Sequence, residues 1–304
     1  MTRTVPAAAG SPHHTGAAPA ASGAAIRTGI LWMLVATCLF VCQDSIARIL
    51  LKIYPATEVA FARYFVHLVL AGAFIAWRDP RLLISRRPLL QLLRSSFLLG
   101  ATLFVMLALK IMPLVDIYAI VWVTPVLVAV LSVSILHEKV SRGVWASVIT
   151  GMMGVWIVIG RTGMDFSFFM LLPLLAALAN ALYQIATRLL HSADTPVTTL
   201  FYTALAGVWF CGGFLPFSAV APGPAGGGLM LLLGLLGAAS HFCLIRAFAA
   251  APANIVAPFG YTALLWATLS GLLIFGEIPR PRTLFGAGLI TGAGLFVFFR
   301  GPKT

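Results

Sequence analysis

Charged residues are scarce in this sequence, and acidic residues are the scarcest. Only 9% of its 304 residues are charged, with 8 Asp and Glu in total, whereas an ordinary soluble domain carries about 25% charged residues. Hydrophobic residues make up 61%, and the mean hydropathy is +1.01. Most of such a chain cannot face water, which excludes a soluble globular protein and indicates a protein embedded in a lipid bilayer.

The sequence also lacks motifs for ATP, metal or disulfide chemistry. It has no phosphate-binding loop, so ATP-driven transport by this chain alone is excluded. We expect no cofactor and no metal. The net charge of +12 is scattered between apolar segments, which argues against a nucleic-acid partner. The four cysteines lie inside apolar stretches, and we expect them to be small core residues: Cys38, Cys42, Cys211 and Cys243.

Ten apolar segments fill most of the chain, each near the roughly 20 residues that span a hydrocarbon core. They run over Thr28–Arg48, Thr57–Trp77, Leu89–Leu109, Leu114–Leu136, Gly143–Gly160, Ser167–Leu189, Thr198–Ser218, Gly227–Phe248, Ala253–Phe275 and Thr283–Arg300. The short loops between them leave no room for a soluble domain. The sequence therefore predicts an all-α integral membrane protein with ten transmembrane helices.

The basic residues at the ends of these segments predict the orientation. With the N-terminus in the cytoplasm, 13 Lys and Arg lie on the cytoplasmic side, Arg94 among them, and 6 lie outside, while Arg63 falls inside a segment. Cytoplasmic ends carry the excess of Lys and Arg in multi-pass proteins. We therefore expect a protein of the inner membrane with both termini in the cytoplasm.

The two halves of the chain align at an offset of about 140 residues. The alignment places Arg48 on Arg188, Pro55 on Pro196 and Glu138 on Glu277. Each half holds five segments, an odd number, so the second copy must insert upside down, as in the inverted repeats of secondary transporters. We expect a disordered cytoplasmic tail at 1–26, a first repeat at 27–161 and a second at 162–302.

Several stretches resemble one family. "HEKVSRGVW" (137–145) and "FGEIPRPRTLFG" (275–286) each follow an apolar helix that contains proline, and "GMMGVWIVIGR" and "GAGLFVFFR" resemble the glycine-rich last helix of each repeat. Together they are similar to the drug/metabolite transporter superfamily, specifically the EamA-type carriers. The resemblance implies two inverted five-helix bundles around a central cavity, with alternating access for a small organic metabolite.

The sequence leaves several substrates as alternatives. The stretch "APFGYTALLWATLSGLLIFGEIP" (257–279) is similar to bacterial branches that take up riboflavin or S-adenosylmethionine. An exporter of amino acids or drugs with the same fold is one alternative. An intramembrane enzyme is another, although the chain has no family-like catalytic signature. The expected partners are a small-molecule substrate and the lipid bilayer, and a homodimer is compatible with the sequence.

One polar cluster is expected near the outer ends of the first helices. Arg63 lies two turns inside the second segment, where an arginine costs about 2.5 kcal/mol or more at a helix centre and usually faces a cavity or an acid. His67 lies one turn further along the same helix face. Three acids are expected at a similar depth, Asp44, Glu58 and Asp116. The cluster is either a structural ion pair or an anchor for a carboxylate or other polar group of a substrate.

Further candidates follow from their positions within the segments. Aromatic and polar side chains are expected to line the cavity at Tyr118, Trp122, Tyr183, Gln184, His241 and Tyr261. Glu138 and Glu277 each end the fourth segment of a repeat, where we expect them to cap the next helix or to act in gating. Pro125 and Pro258 are expected to bend their helices at different depths, because Pro125 aligns with Leu264.

Overall fold

The computed structural model describes residues 23–109, 120–121, 123–159, 171–276, 285, 288–289 and 292, and every regular element in this part of the chain is helical. The α-helices are α1 Gly23–Leu50, α2 Ala56–Arg78, α3 Pro88–Leu109, α4 Thr124–Ile135, α5 Arg142–Ile159, α6 Leu171–Leu190, α7 Pro196–Thr203, α8 Leu205–Ser218, α9 Pro224–Ala250, α10 Ala253–Val256 and α11 Ala263–Phe275. The same residues include two 3₁₀ segments, at Pro80–Leu83 and Ala257–Thr262.

Six helical stretches in the described residues are long and apolar enough to cross a membrane. They are Gly23–Leu50, Ala56–Arg78, Pro88–Val105, Pro196–Phe217, Pro224–Ala250 and Ala253–Phe275. The predicted class, an all-helical membrane protein, is confirmed at this level. The count of ten stays a prediction, since most of the last segment, Thr283–Arg300, lies outside the described residues.

Helix ends follow local chain chemistry. The Asp79 side chain accepts from the backbone N–H of Arg81 at 3.0 Å, which caps the short 3₁₀ turn after α2. Thr195 accepts from the N–H of Thr198 at 3.2 Å and so caps α7. Gly276 ends α11 with φ +66°, a left-handed conformation that glycine adopts without steric cost.

Helix packing places α9 at the centre of the described bundle. It packs against α1 along much of its length and against α2, while α3 packs on α6 and α2 also on α8. Buried apolar residues from α1 to α6, from α8 and from α9 form one core cluster with residues between 253 and 259. Of the four cysteines, Cys211 and Cys243 are buried as expected, but Cys42 is exposed and is not a core residue.

The described helices end at two faces of the bundle. The Glu138 face holds residues 79–87, 136–141, 191–195 and 251–252, where the Asp194 carboxylate accepts from the backbone N–H of Arg86 and from Gln91 Nε2, both at 2.8 Å. The Glu58 face holds residues 51–55 and 219–223, where Glu58 accepts from the N–H of Val220 at 2.8 Å. These contacts tie the loops together at each face.

The helix over residues 253–275 is interrupted. The 3₁₀ segment that contains Pro258 separates α10 from α11, and Pro125 lies in the first turn of α4. A side chain at Gly260 would stand 3.7 Å from the Pro125 ring. The two proline-containing segments therefore pack against each other, and backbone interruptions of this kind mark substrate sites in transporters.

Close helix contact at Gly207 generates a stability prediction. A Cβ on Gly207 of α8 would overlap the ring of Tyr64, which is buried and whose hydroxyl is bonded to Thr102 at 2.7 Å, so the ring has little room to move. We expect Gly207→Ala to destabilise the protein by about 1–3 kcal/mol, the usual effect of overpacking. The apparent melting temperature of the detergent-purified protein measures this.

Gly213 of the same helix is the matched control, because a Cβ there would meet nothing within 4 Å. Gly213→Ala should leave the melting temperature unchanged or raise it slightly, since alanine favours the helix. Equal melting temperatures for the two variants would contradict the close contact between Gly207 of α8 and the Tyr64 ring of α2.

Candidate functional site

An arginine inside the bundle is held by neutral side chains. Arg63 of α2 donates from Nη2 to His241 Nε2 of α9 at 3.1 Å. In the amide orientation that satisfies its hydrogen bonds, Gln43 Oε1 of α1 accepts from Arg63 Nη1 at 2.8 Å and from Nε at 2.9 Å. Gln43 and His241 are buried, whereas Arg63 is half-buried. Arg63 thus lies inside the bundle without being fully enclosed.

A second arginine lies at the other end of the same hydrogen-bond chain. Tyr183 Oη of α6 stands 2.8 Å from His241 Nδ1 and accepts from Arg94 Nη2 at 2.9 Å. Arg94 of α3 is fully buried. It also donates to Thr187 Oγ1 at 2.6 Å and to Thr203 Oγ1 at 2.7 Å. Its position is therefore fixed from both α6 and α7.

The hydrogen-bond chain crosses five helices, and we call it the polar relay. Its members are Gln43, Arg63, His241, Tyr183 and Arg94. Two guanidinium groups, which stay charged at any physiological pH, are joined through an imidazole and a phenol. All hydrogen-bond acceptors described for them are neutral. The relay therefore carries two positive charges with no carboxylate bonded to either in the described residues.

Other rings pack around His241. His67 stacks on it with ring centroids 5.7 Å apart, and Phe40 meets it edge-on at 5.0 Å. His67 Nε2 lies 3.0 Å from the carbonyl oxygen of Leu200, so this nitrogen carries a proton and donates it. Arg63 and His67 of the expected polar cluster therefore lie beside Tyr183 and His241, which were expected separately as cavity residues.

Neither of the two expected acids that the structure describes, Asp44 and Glu58, bonds to Arg63. The Glu58 carboxylate accepts from the Val220 N–H at the Glu58 face, and Asp44 lies on an exposed part of α1. Asp116 lies outside the described residues. Neutral oxygen and nitrogen acceptors hold Arg63 in the described residues. That the three acids lie at a similar depth, and that they act on a substrate, stays a prediction.

The remaining candidates are distributed elsewhere. Gln184 bonds to Asn180 one turn earlier on α6 at 3.4 Å rather than to the relay. Tyr261 is buried in the interrupted helix, and its hydroxyl has no hydrogen-bond partner in the described part of the chain. The side chains predicted to line the cavity at Tyr118 and Trp122, and the gating candidate Glu277, lie outside the described residues.

Glu138 joins distant parts of the chain at its face. Its Oε1 lies 3.2 Å from Arg188 Nε at the end of α6, and its two oxygens accept from the backbone N–H groups of Ala253 and Asn254, each at 3.2 Å. Arg188 Nη1 donates to the carbonyl oxygen of Phe248 at 2.7 Å. We call this set the Glu138 latch.

The latch differs from the expected cap. Glu138 caps the first turn of α10, which is distant in sequence. The following helix, α5, is capped by Ser141, whose hydroxyl accepts from the N–H of Val144 at 3.3 Å.

His191 lies just beyond the end of α6. Burial, and then the charge of Arg188, lower the pKa of its imidazole. His191 is therefore neutral beside the latch at neutral pH.

The relay partners that the sequence reasoning missed are Gln43 and Arg94. The count of basic residues at segment ends places Arg94 on the cytoplasmic side, and the structure shows that it is fully buried. Gln91, Arg94 and Ser95 are spaced i, i+3 and i+4 within an apolar segment and are all buried. This polar stripe on one helix face is the signal that could have identified Arg94.

Comparison with known proteins adds to this geometry. The sequence profile described as the EamA-like transporter family matches residues 27–160 and, a second time, residues 167–299. The chain belongs to the EamA-like transporter family. It is a multi-pass membrane transporter, and the relay lies inside an EamA-like bundle.

Two curated relatives of this EamA-like protein cover most of its length. An S-adenosylmethionine uptake transporter from Rickettsia prowazekii is 25% identical over 279 residues, which is 91% of this chain and 94% of that protein. A riboflavin transporter from Vibrio cholerae is 28% identical over 281 residues, or 88% and 92%. A solved crystal structure matches with a TM-score of 0.73 at 18% identity, covering 91% of this chain and 97% of that one, and shows the fold alone.

Arg94 generates a prediction for this EamA-like site. Arg94→Met keeps the bulk of the side chain but removes the donors to Tyr183, Thr187 and Thr203. The three hydroxyls keep their other partners but lose the bonds to a charged group, each worth about 1.5–3 kcal/mol. We therefore expect a large fall in melting temperature and in the yield of monodisperse protein.

Arg87→Met is the matched control, because Arg87 is an exposed arginine at the start of the same helix region. Its melting temperature and yield should stay at the wild-type values. A stable Arg94→Met protein would contradict the role of Arg94 in holding α3, α6 and α7 in position.

Proposed function

We propose that this protein is a secondary carrier, not an enzyme, that moves a small organic metabolite across the inner membrane by alternating access. The observation that carries the proposal is the polar relay, with the half-buried Arg63 at one end. Arginines inside a membrane bundle usually face a cavity or a transport pathway. Membership of the EamA-like family supports the same interpretation.

We propose the full architecture as ten transmembrane helices in two inverted repeats, at 27–161 and 162–302. The double match of the family profile supports it, as does the alternation of consecutive helix ends between the Glu138 and Glu58 faces. The Glu138 face is cytoplasmic in this proposal, together with both termini. The basic residues at that face support this orientation, including Arg78, Arg81, Arg86, Arg87 and Lys139.

The proposed substrate combines a planar ring system with polar groups. S-adenosylmethionine and riboflavin, named for the relatives, both fit that description. Arg63 favours S-adenosylmethionine, because its guanidinium is suited to a carboxylate, which riboflavin lacks. In the described residues the partners of His241 are Arg63, Tyr183 and aromatic rings, with no acid beside it, which supports a carrier over an intramembrane enzyme.

The proposed cavity combines the relay with the interrupted helix. The Tyr261 hydroxyl, buried without a described partner, is placed to hydrogen-bond a substrate that reaches the interruption at Pro258. Further proposed contributors to the cavity are Asp44, Glu58, His67, Asp116, Tyr118, Trp122 and Gln184. Bending at Pro125 and Pro258 is proposed to let the two helices move between the open states.

The Glu138 latch is proposed as the gate at the cytoplasmic face. It links the loop between α4 and α5 of the first repeat to α6, α9 and α10 of the second repeat. Opening this face for substrate release must separate these elements. Glu277 is proposed to act in the corresponding way at the other face, because it aligns with Glu138.

Transport by reconstituted protein tests the proposed function. We expect saturable uptake of labelled S-adenosylmethionine or riboflavin into proteoliposomes, which empty liposomes do not show. Arg63→Gln should insert normally and lose at least about tenfold in uptake, equivalent to about 1.4 kcal/mol or more of binding free energy. Arg87→Gln, on the exposed surface, should transport at the wild-type rate. Wild-type uptake by Arg63→Gln would contradict the role of Arg63 as anchor.

The gate proposal is tested by hydrogen exchange at the backbone. The Ala253 and Asn254 amides lie in the first turn of α10 and depend on Glu138 for protection. Glu138→Gln weakens the latch by removing its charge, so exchange of a peptide covering 250–256 should accelerate about tenfold, which corresponds to about 1.4 kcal/mol. Hydrogen-exchange mass spectrometry of the detergent-purified protein measures the rate.

Glu58→Gln is the control at the opposite face, where the carboxylate holds the Val220 amide. It should change exchange near residue 220 and leave peptide 250–256 as in the wild type. Unchanged exchange of that peptide in Glu138→Gln would remove the latch from the gating mechanism.

A further inference from the structure

We propose that His241 is the proton-binding site that couples this carrier to a proton gradient, and that its proton enters together with a carboxylate held by Arg63. The inference deepens the proposed carrier function, on which it rests, by naming the coupling ion and the charged group of the substrate. It is carried by the geometry of the polar relay.

The hydrogen bond from Arg63 fixes the tautomer of His241. An arginine side chain has only donors, so Arg63 Nη2 donates and His241 Nε2, 3.1 Å away, accepts. Nε2 therefore carries no hydrogen, and the single proton of the neutral ring is on Nδ1. From there it is donated to Tyr183 Oη at 2.8 Å.

Protonation of His241 is incompatible with this arrangement. The second proton must bind at Nε2, the atom that faces Arg63 Nη2. Two donors and two positive charges would then face each other at hydrogen-bond distance. The contact must break, so the protonated imidazole and the Arg63–His241 hydrogen bond exclude each other, and one proton switches the relay between two arrangements.

The surroundings of His241 make its protonation depend on an anion. The described groups that face it come from four helices: Arg63 and His67 of α2, Tyr183 of α6, Arg94 of α3 through Tyr183, and Phe40 and Gln43 of α1, neither of which titrates. None of them is a carboxylate. A third positive charge beside two guanidinium groups is unfavourable until a negative charge arrives.

Arg63 has the capacity to hold that negative charge. Three of its five N–H donors are used by Gln43 and His241, and the other two have no partner in the part of the chain that the structure describes. Two N–H groups are what a carboxylate binds in a bidentate pair. When His241 is protonated and releases Arg63 Nη2, a further donor becomes free, and the imidazolium supplies a second positive partner for the same anion.

The charges of the proton and of the carboxylate explain why the two bind together, without a buried acid in the protein. One proton and one carboxylate add no net charge to the relay, so the loaded and empty carriers cross the bilayer with the same charge at this site. Because each ligand favours the binding of the other, the coupling is reciprocal. A carrier with this site moves its substrate in the direction in which protons flow.

Proteoliposomes test this coupling with labelled S-adenosylmethionine, the membrane potential being clamped by valinomycin and equal potassium. We expect wild-type protein to accumulate the label about tenfold for an inward gradient of about one pH unit, as one proton per substrate allows. His241→Gln retains an acceptor for Arg63 but binds no proton. It should lose accumulation and keep the exchange of external label for internal unlabelled substrate.

Arg87→Gln is the control, because Arg87 is an exposed residue at the Glu138 face, outside the relay and the proposed cavity. It should accumulate label as the wild type does. Accumulation by His241→Gln, or wild-type uptake that does not respond to the pH gradient, would overturn the coupling role of His241 while leaving the carrier function intact.

Two further results separate the proposals. Transport of riboflavin but not of S-adenosylmethionine would overturn the carboxylate part of this inference, and absence of uptake for both would overturn the proposed function together with it. If His241→Gln does not insert into the membrane, the affinity of the wild-type protein for S-adenosylmethionine, measured at several pH values, tests the uptake of a proton instead. Binding of S-adenosylmethionine that tightens as the pH falls supports a proton taken up with the substrate, and binding independent of pH contradicts it.

Discussion

The structure depends on one constraint, the need to satisfy two guanidinium groups inside an apolar bundle. A charge in such a medium is tolerated only where polar groups surround it, and the acceptors around Arg94 must come from other helices. Thr187 and Tyr183 fix the position of α6, and Thr203 fixes α7. Helix packing in hydrocarbon has no strong hydrophobic drive, so these directional bonds determine the positions of helices that apolar contacts alone would leave free to slide.

Much of the fold was predictable from the sequence, because the length and hydropathy of a segment identify it as a membrane-spanning helix. The polar cluster was predictable only in part. Arg63, His67, Tyr183 and His241 were each identified as unusual polar residues in an apolar segment, and they do lie together. Which side chains meet across helices depends on helix rotation and depth, and the pattern of a single helix does not contain this information.

Two features of the site differ from what the sequence alone suggests. A guanidinium binds a carboxylate more strongly than a neutral acceptor, yet in the described residues an amide and an imidazole hold Arg63, and Glu58 bonds to a backbone N–H. Arg94 lies near a helix end, where cationic side chains usually reach the headgroups, yet it is fully buried. Its neighbours Gln91 and Ser95 on the same face are buried with it, so the stripe they form was more informative than the position of Arg94 along the segment.

The two arginines of the relay differ in burial and in partners, which suits Arg94 to a structural role and Arg63 to ligand binding. Arg94 is fully buried and holds its helix through three neighbouring hydroxyls, so it has no accessible side to offer a ligand. Arg63 is half-buried, holds fewer partners and bonds to an imidazole that can change its protonation state. A relay that is rigid at one end and switchable at the other can pass a local event, one proton or one anion, to five helices at once. That is the requirement for converting the binding of a small ligand into the movement of a bundle.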